Sequence, residues 1–403
     1  MVSNRDLRAA EARVRMARAL RGTAVADLLP TIDASASSTT ARRSQNSLAF
    51  PVRLIDTDTY QAGFDASWEI DIFGGKRRAL QAAQADLQTV EEDRRNVLVS
   101  LLAEVARNYL ELRGTQRQLV IATNNLRAQQ EVLEITRLRS EKGLASELDV
   151  AQAKALVATT RSAVPALETA LKQSIHRLCV LLGQPPGALA AELSADAPIP
   201  PVPPEVPAGL PADLLRSRPD VRRSERQLAA TSARMGMATA EFFPKFFLTG
   251  TAGYQSLDAG SLFSPASKFW SAGPSVRWRL LEYPRLRAQV RAQDAQQNQA
   301  LAQFEQTVLI ALEDVENALV AYGKEKERLG ALREAVDASR RAVELANELY
   351  AKGLGEFLNV LVAQRALYQA EDAVVVSQRT VSENLVALYK ALGGGWAAPS
   401  PTQ

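Results

Sequence analysis

The chain has 403 residues, with 48 Lys and Arg against 45 Asp and Glu, for a net charge of +3. That balance argues against nucleic acid or anionic lipid as the main partner, because either calls for a strong basic excess. One cysteine, Cys179, and one histidine, His176, exclude a disulfide framework and a Cys/His metal site within one chain.

In chain order, "MVSNRDLRAAEARVRMARAL" reads as helix and lacks the apolar core of a signal peptide. Strands are expected at about 31–47 and 58–72, a long helix at about 77–140 and a further helix at about 144–183. At 1.5 Å per residue the long helix would measure roughly 95 Å. Pro165 interrupts the second of these two helices, and a kink is expected one turn before it. Cys179, in "IHRLCVLLG", reads as a small core residue, and His176 as a helix-surface residue. The stretch "PIPPVPPEVPAGLP" marks a connector over about 198–213, extended because proline favours polyproline geometry. Beyond it come a helix at about 217–241, strands at about 245–257 and 268–281, a long helix at about 285–351 and a helix at about 356–392. No run of 18 apolar residues occurs, so no transmembrane helix is expected.

The second series copies the first. Asp6 matches Asp220 and Pro30 matches Pro244, 214 positions apart. From Trp68 and Trp278 onward the spacing becomes 210, and it holds through Glu104 and Asp314, Gly143 and Gly353, and Gly183 and Gly393. The chain thus divides into a first repeat at 1–197, the connector, and a second repeat at 214–403. Leu301, Phe304, Val308, Leu312, Val315, Leu319 and Tyr322 recur at spacings of three and four, and Leu98, Leu102, Val105, Tyr109 and Leu112 repeat the stripe. Such a stripe is a seam for packing helix on helix.

"YQAGFDASWEIDI" alternates apolar and polar residues throughout, which is strand periodicity. Fifteen of the 23 aromatic residues lie in 30–73 and 242–283. Aromatics concentrated in short alternating segments suit an outer-membrane β-barrel with interface girdles. Tyr60, Phe64, Trp68, Phe246, Tyr254, Trp270 and Trp278 are the candidate membrane-interface residues. The competing reading is a half-buried soluble sheet, on a soluble coiled-coil scaffold or adaptor protein. Four strands cannot close a barrel, which needs about eight, so several chains would have to share one.

"RPDVRRSERQLAATSARMGMATAEFFPKFFLTGTAGYQS", "SWEIDIFGGKRRALQAAQADL" and "GLASELDVAQAKAL" resemble the NodT/OprM-type branch of the TolC-like outer-membrane efflux factors. The resemblance runs through both halves. It implies a mainly α fold with a small β part, in which long helical hairpins form an α-barrel. Four strands per chain enter a twelve-stranded barrel in a homotrimer embedded in outer-membrane lipid, with the helices in the periplasm. It further implies a passive exit duct, not an enzyme, without cofactor or nucleic acid. The partners would be a periplasmic adaptor (membrane fusion) protein and an inner-membrane pump of the resistance-nodulation-division type. The family usually carries a signal peptide and often a lipid-bearing cysteine. Neither is in this sequence, which therefore reads as truncated at its amino terminus or given a misplaced start.

By the same resemblance, the glycine breaks are hairpin tips where the adaptor docks, at Lys142, Gly143 and Leu144 and at Lys352, Gly353 and Leu354. A periplasmic gate follows, at Asp149, Gln152, Tyr350, Gly355, Asn359 and Val362. Relatives bond the aspartate to the tyrosine and to an arginine whose position here holds Gly355. They also line the constriction with acidic residues where this chain has Asn359 and Val362. A neutral constriction implies weaker cation selectivity than a charged ring. "FGGKRR" lacks the spacing of a phosphate loop, and Glu91, Glu92 and Asp93 read as a solvated helix face rather than a catalytic pair.

Overall fold

The computed structural model of the chain describes residues 3–42, 44, 56–203 and 217–394. Positions 43 and 45–47 of the expected first strand, and 204–213 of the connector, lie outside the described residues. The helices are α1 (Arg5–Ala26), α2 (Gly75–Glu141), α3 (Glu147–Leu181), α4 (Ala190–Leu193), α5 (Pro219–Ala240), α6 (Tyr283–Ala351) and α7 (Phe357–Ala391). The strands are β1 (Thr31–Ala41), β2 (Thr57–Ile70), β3 (Lys245–Ser256) and β4 (Lys268–Arg277). Each half therefore has the order helix, two strands, long helix, shorter helix. The four-residue α4 was not anticipated. The fourth strand ends four residues earlier than expected, since Leu280–Glu282 form a 3-10 turn. Pro165 sits inside α3 without ending it.

Two compact units are present, and they do not coincide with the sequence halves. One comprises 13–91 and 223–305, the other 1–12, 92–222 and 306–403. Each draws on both halves because α1, α2, α5 and α6 have residues in both units.

The first of these units holds a four-stranded antiparallel sheet in the order β1-β2-β3-β4. Its register separates the faces. Rows such as Ala34–Phe64–Ala252–Trp270 and Ala66–Gly250–Ala272 fall on one face, and Asp33–Asp65–Thr251–Ser271 on the other. The apolar side chains are not covered; Trp270 is 80% and Phe64 62% exposed. Gly63 and Gly253 face each other across β2 and β3. A Cβ on Gly63 would lie 2.7 Å from the Ala252 carbonyl oxygen, and one on Gly253 2.4 Å from that of Ala62. Only glycine allows the strands this approach. The repeat is visible here too. The Trp68 indole donates to the Leu28 carbonyl and the Trp278 indole to that of Phe242, each at 3.0 Å. Both acceptors lie two residues before a proline, Pro30 or Pro244, so the bond occurs once per half despite the four-residue length difference.

The other unit is helical. Leu112, Ile175, Leu178, Cys179 and Leu193 form one buried cluster, so Cys179 is the core residue expected, while His176 is exposed. Tyr322, Leu329, Val381 and Leu385 form another between α6 and α7. The expected seam is only partly buried. Leu102, Leu301, Leu312 and Leu319 are exposed, while Ala311, Ala318, Tyr322, Leu329, Val336 and Tyr350 are buried. A stripe three or four residues wide needs partners on more than one side, and a single chain supplies only part of them.

Buried Arg218, just before α5, bonds to Asp220 (2.7 Å), Asp314 (2.9 Å) and the carbonyl oxygens of Ala391 (3.0 Å) and Ala311 (3.3 Å). In the first half Asn4 occupies the matching position and donates to the Leu181 carbonyl at 2.8 Å. Burial pushes the Asp220 carboxyl up, but the hydrogen bond and charge of Arg218, with the Val221 amide, outweigh it. The net effect holds Asp220 below the ordinary aspartate range.

Candidate functional site at the hairpin tips

Both glycine breaks are tight turns closing a helical hairpin. Gly143 has φ +69° and Gly353 φ +72°, with open space where a Cβ would stand. Glycine is needed here for the left-handed backbone and not for room. In each, the glycine amide bonds three residues back and the next amide five back. These are Gly143 to Ser140 (2.9 Å) and Leu144 to Arg139 (2.8 Å), then Gly353 to Tyr350 (3.1 Å) and Leu354 to Leu349 (2.9 Å). Lys142, Gly143, Leu144, Lys352, Gly353 and Leu354 are all exposed, and Lys352 pairs with Glu348 at 2.6 Å.

The helices that restart begin differently. Ser146 caps α3 in a reciprocal box with Asp149, whose Oδ2 accepts from the Ser146 amide at 3.0 Å. At the matching start of α7 stand Glu356 and Asn359, and Glu356 makes no side-chain cap. The first tip is thus pinned by two bonds that the second lacks.

Behind the turns, Ala153, Tyr350, Phe357, Val360 and Leu361 form a buried cluster with Val132, Leu133, Leu156 and Ala346. It brings α2, α3, α6 and α7 together. Tyr350 is buried, Asp149 and Gln152 half-buried, Gly355 half-buried, and Asn359 and Val362 exposed. The bond that the resemblance implies between Asp149 and Tyr350 is not made within the chain. Asp149 is engaged in its capping box, and the Tyr350 hydroxyl is buried with no hydrogen-bond partner among the described residues.

A cation does reach the tyrosine, from an unexpected place. The Arg139 guanidinium, in the last turn of α2, lies 4.6 Å from the Tyr350 ring centroid, and its Nη1 donates to the Tyr350 carbonyl at 3.3 Å. Phe357 packs on the same ring, with centroids 5.4 Å apart. Arg139 has no counterpart in the second half, where Leu349 stands, so no repeat pattern marks it. Arg139 thus brings a positive charge to Tyr350 from the other hairpin.

The membrane-interface candidates are all in the sheet-bearing unit; those on β2, β3 and β4 share the apolar face by strand parity, and Trp278 stands one residue beyond the end of β4. Tyr60 and Tyr254 lie toward one end of the sheet, Phe64 and Trp270 in its middle, and Trp68, Phe246 and Trp278 toward the other end. No helix among the described residues is long and apolar enough to cross a membrane.

Comparison with known proteins gives one consistent answer. The family model described as "Outer membrane efflux protein" matches residues 1–184 and 210–394. The solvent efflux pump outer membrane protein SrpC of Pseudomonas putida is 34% identical over 396 residues, covering 98% of this chain and 83% of that protein. The pyoverdine export outer membrane protein OpmQ of Pseudomonas aeruginosa is 33% identical over 401 residues, covering 98% and 84%. Among solved structures, the outer-membrane channel OprN superposes with a TM-score of 0.94 at 38% identity, over 98% of this chain and 88% of that one. The outer membrane protein VceC of Vibrio cholerae gives 0.90 at 25% identity, over 97% and 93%. The chain belongs to the outer membrane efflux protein family.

Proposed function

We propose that the chain is the outer-membrane channel of a tripartite efflux pump, a passive homotrimeric exit duct. Drugs or other toxic compounds reach it from an inner-membrane pump, of the resistance-nodulation-division type, through a periplasmic adaptor. The observation that carries this reading is the sheet. It has a continuous apolar face exposed to its surroundings, a polar opposite face, and no second strand partner for the edge strands β1 and β4 among the described residues. Open edges demand pairing, and three copies joined β1 to β4 close twelve strands with the polar face inward. From Tyr60 to Trp68 is about 26 Å along the strand. A tilt of about 40° reduces that to about 20 Å, close to the roughly 25 Å apolar band of such barrels. The exposed Leu301, Leu309, Leu312 and Leu319 of α6 are then surfaces for neighbouring copies in the helical barrel.

In this reading the exposed turns at Gly143 and Gly353 receive the adaptor. The tip is closed by packing around Tyr350 and by the Arg139 stack, with Val362 and Asn359 lining the constriction. A neutral lining closes by dewetting and favours cations less than a carboxylate ring does. The relatives' solvents and pyoverdine indicate the range the family carries, and the pump sets the choice. The experiment is fractionation of cells expressing the chain behind a cleavable export signal. A heat-modifiable trimer in the outer membrane supports the duct; a soluble monomer favours the coiled-coil scaffold.

A further inference from the structure

A cavity of about 830 Å³ lies between the proline-rich run 198–203 and the α6/α7 pair, within the helical unit. Its wall is anchored from α2. Buried Arg113 donates to the Ala195 carbonyl and to Gln116 Oε1, both at 2.7 Å, and Gln116 Nε2 donates to the Leu193 carbonyl at 2.9 Å. These bonds fix the point where the chain leaves α4. Val202 then packs on the Tyr322, Leu329, Val381 and Leu385 cluster. Pro198, Pro200, Pro201 and Pro203 keep the run between extended, so it arches over the helices without coiling into the gap.

The lining is unlike the rest of α6. Arg117, Lys326 and Arg333 face the cavity against a single carboxylate, Asp196. None of the three cations forms an ion pair or hydrogen bond among the described residues. Their neighbours do: Lys324 pairs with Glu327, Arg328 with Glu325, Arg340 with Glu371 and Arg341 with Glu344. The Lys326 ammonium stands 5.4 Å from the Tyr322 ring centroid, and the Tyr322 hydroxyl is buried without a partner among the described residues. Ile199, Val202 and Leu329 supply apolar wall.

We propose that this cavity binds a small organic anion. Its oxyanion head lies among Arg117, Lys326 and Arg333, and its apolar body lies against Ile199, Val202 and Leu329. The volume is in the range of small-molecule sites, roughly 300–1,000 Å³, and charge-assisted bonds to a guanidinium give the head its preference. The site is separate from the duct and does not depend on the chain conducting.

Equilibrium dialysis of the detergent-solubilised full chain, with micelles alone as blank, tests it. The probes are 2-naphthoate, 2-naphthyl phosphate and the neutral 2-naphthamide. Saturable binding of either anion at one per chain is expected, with the amide at least tenfold weaker, and the comparison of the two anions identifies the preferred head. The K326Q/R333Q variant should weaken anion binding at least tenfold. Raising NaCl from 0.05 to 0.5 M should weaken the anions and not the amide, a result that needs no variant. Equal binding of amide and anions, anion binding indifferent to salt, or no saturable binding of either anion overturns the proposal. Unchanged bilayer conductance in K326Q/R333Q separates this site from the duct.

Discussion

Arg139→Gln isolates the contact between the two hairpins at the tip. The substitution keeps a polar donor, shortens the side chain by two bonds and removes the charge that lies 4.6 Å from the Tyr350 ring. A cation–π contact contributes about 0.5–1 kcal/mol when exposed and about 2 when desolvated. Arg139 is half-buried, which puts the contact between those values. The 3.3 Å bond from Nη1 to the Tyr350 carbonyl is long, so losing it adds roughly 0.5 kcal/mol. The total is about 2 kcal/mol, or roughly a thirtyfold shift in the equilibrium for parting the hairpins at 1.36 kcal/mol per tenfold. Hydrogen exchange at the amides of 346–354 should accelerate by about that factor, and openings in planar bilayers should become more frequent. Tyr350→Phe is the control. Its hydroxyl has no partner among the described residues, so the phenylalanine variant should exchange and conduct like the parent. If Tyr350→Phe loosens the tip and Arg139→Gln does not, the tyrosine hydroxyl is the latch and the stacking argument is wrong.

The two tips should also respond differently to loss of their caps. Ser146→Ala removes the capping box of α3 and should cost about 1 kcal/mol of local stability, whereas Glu356→Ala, which removes no cap bond, should be neutral by the same exchange measurement. Asp220→Asn leaves buried Arg218 with Asp314 as its remaining carboxylate. The cost should be roughly 2–4 kcal/mol, at or below the range for breaking a buried pair, read from denaturant unfolding. Because the Asp220 carboxyl is lowered in the folded chain, its contribution is complete above the unfolded value of about 3.9. It is lost as pH falls from there through the folded value. The parent should lose that stability on acidification, and the asparagine variant should lack this component. Val362→Asp should raise cation selectivity, measured as a larger reversal potential across a salt gradient. An unchanged reversal potential would remove Val362 from the constriction.

The order of elements was legible in the sequence because each signal is local. Alternation over 60–72 needs only adjacent residues to identify a strand, and Gly143 and Gly353 mark turns by their own backbone freedom. The repeat spacing located both hairpins and even the change of offset, which the matched Trp68 and Trp278 bonds reflect. What was not legible depends on partners distant in sequence. Arg139 lies outside the repeat correspondence, and only packing of α2 against α6 brings it over Tyr350. Asp149 looked like a latch residue because its position matches one, yet the serine three residues earlier claims its carboxylate locally. The seam of α6 was read too wide, since periodicity counts apolar residues without saying how many helices one chain brings to them. The cavity cations were likewise invisible, because Arg117, Lys326 and Arg333 are surface residues by type and only their lack of ion pairs among the described residues distinguishes them.

The most direct test of the central claim is conductance of the purified full chain in a planar lipid bilayer. The duct predicts discrete ohmic steps that need no energy source. Those steps should occur more often in Arg139→Gln than in the parent. Absence of steps from both proteins, at concentrations where the preparation inserts into lipid, would contradict it.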